Sequence, residues 1–252
     1  MRFVFLSLLL VTGAAHADTL LPFSAEFRLH VSKIPTTIKA TLALTASDQP
    51  DHYQLRLENR SFLVKNREQS EFSWNDCAPQ SQHYEHEFRG FGIRRAHSMD
   101  FDWEKQQVEY SDGKDKGHYS IEKGVLDELT MLLKAQCLFA EGLTEFTLTA
   151  AYGDRVRSHT FVVTGEETID TPAGKIDTLV VEKKRHADSN RRTIFWVAPS
   201  LQYMLVKARH VESRVLFGEL LMRRYSGPAP IDPDALLDDD DEYDDEDMEA
   251  EM

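Results

Sequence analysis

The sequence predicts an all-β or β-dominated fold: a strongly curved antiparallel sheet, or a partly open barrel, with one helix packed against it. Three observations carry this. Short runs of alternating apolar and polar residues recur along most of the chain, the period of two that a half-buried strand produces. Turn-forming residues separate those runs at close intervals. A single segment, Val125 to Phe139, instead places its apolar residues at helical spacing.

Taken in order, Phe23, Ala25, Phe27, Leu29 and Val31 alternate with polar residues. A turn at Ser32 to Pro35 precedes the same pattern in Ile38, Ala40, Leu42 and Leu44, and a second turn follows at Asp48 to Asp51. Tyr53-Leu55-Leu57 and the stretch from Phe62 to Trp74 again read as extended. Tyr84 to Phe88, Ile93 to Trp103 and Val108 to Tyr110 continue the meander, broken by Gly90, Gly92 and Asp112-Gly113. From Val125 to Phe139 the spacing predicts a four-turn helix. Lying across one mouth or face of the sheet, it brings Cys137 towards the strand end near Cys77. Strands return at Phe146 to Tyr152 and Val156 to Val163. Pro172 and Gly174 suit a tight reversal between Glu167 to Ile169 and Ile176 to Val181. Arg192 to Val197, Tyr203 to His210 and Val215 to Tyr225 complete roughly twelve to fourteen strands.

Both ends read as lying outside this domain. Residues 1–17 resemble a secretory signal peptide, with Arg2, an apolar run from Phe3 to Val11, and a small-x-small site at Ala15-His16-Ala17. That run is too short to cross a bilayer. The domain then covers residues 18–227 and an acidic tail residues 228–252. From Ile231 to Met252 the tail carries thirteen of the chain's 43 acids and no base, a composition that predicts disorder. Without the tail and the leader, 30 acids face 28 bases. A chain that segregates acid rather than base lacks the footprint that nucleic acid requires. No cysteine follows the leader to carry a lipid anchor. The expected location is the periplasm.

Cys77 and Cys137 are the two cysteines of the chain. An even pair in an oxidising compartment suggests a disulfide closing about sixty residues. Two buried free thiols are the alternative, and a redox centre would need closer spacing or activating neighbours.

Three segments carry a resemblance to a known family: Gly165 to Glu182 with its Thr171-Pro172-Ala173-Gly174 turn, Arg192 to Tyr203 with Trp196, and the region of Leu126 to Leu133. They resemble an exported bacterial family of unknown function, domain of unknown function 3108. The resemblance extends to about Tyr225 and excludes the acidic tail. It implies a periplasmic or envelope protein built on a curved antiparallel sheet, and it supplies no catalytic residues. The family more often has proline where Met204 stands here.

The chemistry legible in the residues is sparse. No Gly-x-Ser-x-Gly elbow and no phosphate-cradling glycine loop occur, so a hydrolase would need a triad assembled only in space. His83, Glu85 and Glu87 share one strand face while His86 points the other way. That set lacks a fourth ligand, and neither a metal nor a cofactor is expected. In the pairs Arg94-Arg95, Arg191-Arg192 and Arg223-Arg224 the period of two sends the partners to opposite faces. Arg95 and Arg192 are the candidates for an anionic-ligand pocket. A curved sheet rich in aromatics can fill its concave side or leave it open to an apolar ligand, and Trp74, Trp103 and Trp196 are the candidate lining residues. The expectation is a non-enzymatic periplasmic protein that binds a hydrophobic or lipid-like envelope component. A structural or assembly protein acting through envelope partners is the alternative.

Overall fold

The structure, a computed structural model, describes residues 19–228 except 35, 63, 91 and 186–188. The signal-peptide reading, the tail from residue 229 onward, Phe91 and His186 lie outside the described residues.

Eight strands come first: β1 (Phe23–Val31), β2 (Ile38–Ala46), β3 (His52–Arg60), β4 (Val64–Asn75), β5 (Ala78–Gly90), β6 (Ile93–Asp102), β7 (Gln107–Ser111) and β8 (Lys116–Ser120). The helix α1 (Thr130–Ala140) separates them from β9 (Glu145–Tyr152), β10 (Arg155–Thr171), β11 (Gly174–Lys183), β12 (Arg192–Ala198), β13 (Met204–Ser213) and β14 (Leu216–Ser226). They form one antiparallel sheet in the order β8-β7-β6-β5-β4-β3-β2-β1-β14-β13-β12-β11-β10-β9. The β1–β14 pair joins the two halves. The sheet does not close, because β8 and β9 are its edges. The segment between β8 and α1 spans the gap: the Ile121 amide donates to Gln106 O, and Leu126 bridges to Thr149 O and the Ala151 amide of β9.

Strict antiparallel order sorts the connections onto two rims. The turns after β1, β3, β5, β7, β9, β11 and β13 lie on one, here the upper rim. The remaining connections, the C-terminal end of α1 and the described termini lie on the lower rim, whereas the N-terminal end of α1 is buried inside the sheet beside Ser70 and Ser81.

Alternation places Phe23, Ala25 and Phe27, Ala40, Leu42 and Leu44, Tyr53 and Leu55, and Phe72 and Trp74 on the concave face, where all are buried. Part of the β9–β13 half is buried on both faces. Phe146, Leu148, Phe161, Val181 and Val197 pack under α1, while Ala151, Ile169, Trp196 and Met204 join the main core. Runs such as Trp196-Val197-Ala198 therefore read as continuous apolar stretches rather than alternations. Met204 is a buried first residue of β13.

Two expectations are corrected. The separate segments Val156 to Val163 and Glu167 to Ile169 are one 17-residue strand, β10. A bulge between Val163 and Gly165 reverses which side chains face inward, which breaks the sequence pattern. The helix runs for 11 residues from Thr130 rather than from Val125. The fully buried Asp127 stops it there: Oδ1 accepts the Leu129 and Thr130 amides, each at 2.8 Å, and Oδ2 accepts Ser70 Oγ at 2.5 Å. Satisfying those groups inside the sheet holds Leu126 in its bridge and starts the helix late.

Candidate ligand-binding groove

Helix α1 lies between the two halves of the sheet. Leu129, Leu133 and Cys137 face the β1–β8 core, and Met131, Leu132, Ala135, Leu138 and Phe139 face β9–β13. Its C-terminal half is tied to the β4–β5 turn by the Cys77–Cys137 disulfide, with Cα atoms 5.9 Å apart. Lys134 Nζ also donates to Cys77 O at 3.0 Å.

On the β9–β13 side the helix does not cover the sheet completely. A groove of about 150 Å³ remains, lined by Leu132, Ala135, Phe139, Phe161, Val197 and Leu205 among others. A chain of aromatic contacts backs it, with Phe139–Phe146 at 5.0 Å, Phe146–Phe161 at 5.7 Å and Phe161–Phe195 at 6.1 Å between ring centres. The space is smaller than the ~300–1,000 Å³ of compact small-molecule pockets. It suits one chain-like apolar segment.

Glu128 stands at one end of the groove, and from there towards the upper rim the same face turns polar. Lys183 is the cross-strand partner of Phe161, and His159 and Arg157 follow at successive inward positions of β10. His159 Nε2 lies 3.1 Å from Tyr152 Oη, and the Arg157 guanidinium sits 5.6 Å from the Tyr152 ring centre. Burial, with Glu68 and Asp127 nearby, pushes the Glu128 carboxyl up to about 7, opposed by the attraction of Arg157 and Lys183. Burial and then Arg185 bring the Lys183 ammonium down to about 8. Burial and then Lys183 hold His159 neutral, its pKa lowered to about 4.

On the facing strands Tyr84 Oη donates to Glu68 Oε2 at 3.3 Å, and His86 Nε2 lies 2.6 Å from Asn66 Oδ1. Burial raises the pKa of Glu68. The Ser70–Asp127–Ser81–Thr130 network deeper in the core is fully buried. Its groups are spent on one another and on the Leu129 and Thr130 amides, which anchors the loop before α1. Among the described residues no group of three or more His, Cys, Asp or Glu is placed to hold a metal ion.

Residues 26–222 match the family described as "Protein of unknown function (DUF3108)". The chain belongs to DUF3108. A solved structure, described as the crystal structure of a beta-barrel-like protein of domain of unknown function DUF1849 from Brucella abortus, aligns with this DUF3108 chain at a TM-score of 0.54. The alignment covers 83% of this chain and 98% of that one at 11% identity, a likeness of fold. No curated protein matches.

The sequence candidates occupy separate places in this DUF3108 chain. Trp74 is buried in the concave core. Trp103 stacks on Phe101 at 5.9 Å and donates its indole N–H to Ser81 O. Trp196 lies on the opposite face of β12, donating to Glu167 Oε2 at 2.7 Å beneath the Lys207 ammonium. Arg95 is exposed on the inward-facing parity of β6, across from Phe88. Arg192 makes a two-point ion pair with Glu182, both contacts 2.8 Å. The structure brings none of these five into the groove. Glu128 lines the groove, and the residues beside that end, Arg157, His159 and Lys183, left one signal in the sequence: Arg157 and His159 share the strand parity of Phe161, so charge occupies a run of positions that continues into the core.

Proposed function

We propose that this chain is an exported, non-enzymatic binding protein of the bacterial periplasm whose ligand is an anionic, lipid-like envelope component. The observation that carries the reading is the apolar groove under α1 continuing directly into the cationic pair Arg157 and Lys183. An acyl-type chain gains by leaving water along the groove, at ~0.8 kcal/mol per buried methylene. Its acidic head then meets the exposed Arg157 and the half-buried Lys183, and beside Lys183 charge attraction is stronger than in bulk water. The disulfide suits an oxidising compartment.

Native mass spectrometry of protein purified from its own periplasm, followed by denaturing analysis of anything released, tests this. The expected result is a discrete extra mass that leaves as lipid. After delipidation, the fluorescent fatty acid cis-parinarate binds, and Ala135→Trp, which fills the groove, or Lys183→Glu, which reverses its mouth, weakens binding at least tenfold. An empty protein that binds no such probe overturns the proposal. The sheet edges, β8 and the part of β9 that Leu126 does not bridge, favour a second reading, assembly with an envelope protein by strand addition. An empty protein that instead purifies with a protein partner supports it.

A further inference from the structure

The outer face of the β1–β6 half carries an arrangement that the ligand groove does not use. Strand register places Arg28 beside Lys39 and Lys39 beside Arg60. Arg60 then pairs with Lys65, Lys65 with Arg89, and Arg89 with Arg94. Six cations thus stand in direct cross-strand succession on six neighbouring strands, all on the face opposite the core. At the ~4.8 Å spacing of paired strands the row is about 24 Å long. Five of the six are exposed and Arg28 is half-buried.

Like charges directly opposite one another oppose sheet formation, so native sheets ordinarily interleave acids. Among the described residues the row is little neutralised: Arg89 reaches Glu87 at 3.9 Å, and the other five have no carboxylate within 4 Å. A depression of about 230 Å³ opens along it, lined by Arg60, Lys65, Arg67 and Arg89 together with Glu58 and Glu87. The buried Nε of Arg67 there has no hydrogen-bond partner.

The row runs just below the upper rim, and the upper-rim turns present apolar side chains to solvent. Phe62, in the turn between Arg60 and Lys65, is 88% exposed. Ile93, next to Arg94, is 47% exposed, and Val215 in the β13–β14 turn is 64% exposed. The lower rim has the opposite charge, with Asp48, Asp51, Asp76, Glu104, Glu122 and Glu141 in its connections against Lys105 and Lys123, although Leu21 and Leu143 are exposed there.

We propose that the upper rim docks this protein on the surface of a bilayer containing anionic lipids, the cation row meeting the phosphates and Phe62 and Ile93 entering the boundary of the acyl region. Basic residues beside protruding apolar side chains combine the two attractions that interfacial binding requires, electrostatic and hydrophobic. An acidic protein partner, or the chain's own acidic tail, would satisfy the cations and leave Phe62 unaccounted for. This inference is independent of the groove, because vesicle binding and carried ligand are measured separately.

The test is flotation of the full-length mature protein with vesicles of phosphatidylglycerol and phosphatidylcholine, against phosphatidylcholine alone. The protein is expected to float with the anionic vesicles only and to be released by rising salt. Each reversed cation in Lys65→Glu and Arg89→Glu should weaken binding at least about fivefold, and Phe62→Ser should weaken it further at constant salt. Lys105→Glu and Lys123→Glu on the lower rim should leave it unchanged. Absence of binding to anionic vesicles at low salt overturns the proposal, as does equal loss from lower-rim and upper-rim reversals. Carbodiimide cross-links from Lys39 or Lys65 to residues 238–251 without vesicle binding overturn it in favour of the acidic tail.

Discussion

Glu128→Gln isolates the electrostatics of the groove mouth. The Glu128 carboxyl is raised from its ordinary 4.5 to about 7, first by burial and then by the charges of Glu68 and Asp127. At about 1.4 kcal/mol per pH unit, that gap corresponds to a destabilisation of at most about 3.5 kcal/mol once Glu128 is ionised, reduced by the partial exposure of Glu128. The sign follows from which state holds the proton longer. Below about 4.5 the carboxyl is protonated in folded and unfolded chains alike, and there is no penalty. As pH rises from 4.5 to 7 the unfolded chain ionises first, stability falls, and above 7 the loss is complete. Gln keeps the shape and stays neutral. The stability of Glu128→Gln relative to wild type should therefore rise from near zero at pH 4.5 to between about 2 and 3 kcal/mol at pH 8. His159 works in the opposite direction. Its pKa is lowered to about 4, so its contribution grows as pH rises through the range from 4 to its ordinary 6.5. Because Glu128 is not among the groups that shift His159, that contribution is common to both proteins and cancels in the difference. Urea unfolding at pH 4.5, 6, 7 and 8 with equal m values is the assay. Two profiles that stay parallel to within about 0.5 kcal/mol, the scatter of such differences, would refute the placement of Glu128 in a buried acidic neighbourhood.

Replacing both Cys77 and Cys137 by serine reopens a 60-residue separation and should cost about 4 kcal/mol by the chain-entropy relation, read as a lower urea midpoint than that of the oxidised protein. Asp127→Ala strands the Leu129 and Thr130 amides and the Ser70 hydroxyl and should cost about 3 kcal/mol or more. Hydrogen exchange at residues 126–131 should speed up before that of β1 and β2, and unchanged protection there would count against the anchoring role.

Much of the fold is local information and was therefore readable. A strand's period of two is written in the strand itself, as in Ile38 to Leu44, and so are the turn residues around Pro172. The cysteine pair was legible because a chain with two cysteines offers one intramolecular pairing. Features that depend on register or burial were not. The helix start moved from Val125 to Thr130 because Asp127 meets Ser70, 57 residues away in sequence, which no local spacing records. The bulge in β10 hid a single long strand, since one extra residue inverts the pattern on which strand reading rests.

The same division holds for the sites. By itself the sequence determined a β meander with one helix, a cysteine pair able to form a disulfide and a supply of aromatics. It did not say which aromatics would be consumed by the core: Trp74 and Trp196 are, whereas Phe139 and Phe161 border open space. The six-cation row looks in sequence like six isolated basic residues between Arg28 and Arg94, and five registers must be known before they align. Only the tertiary structure decided those alignments. Backbone pairing acts between strands distant in the chain, and a shift of one residue in any pair would move a charge to the opposite face.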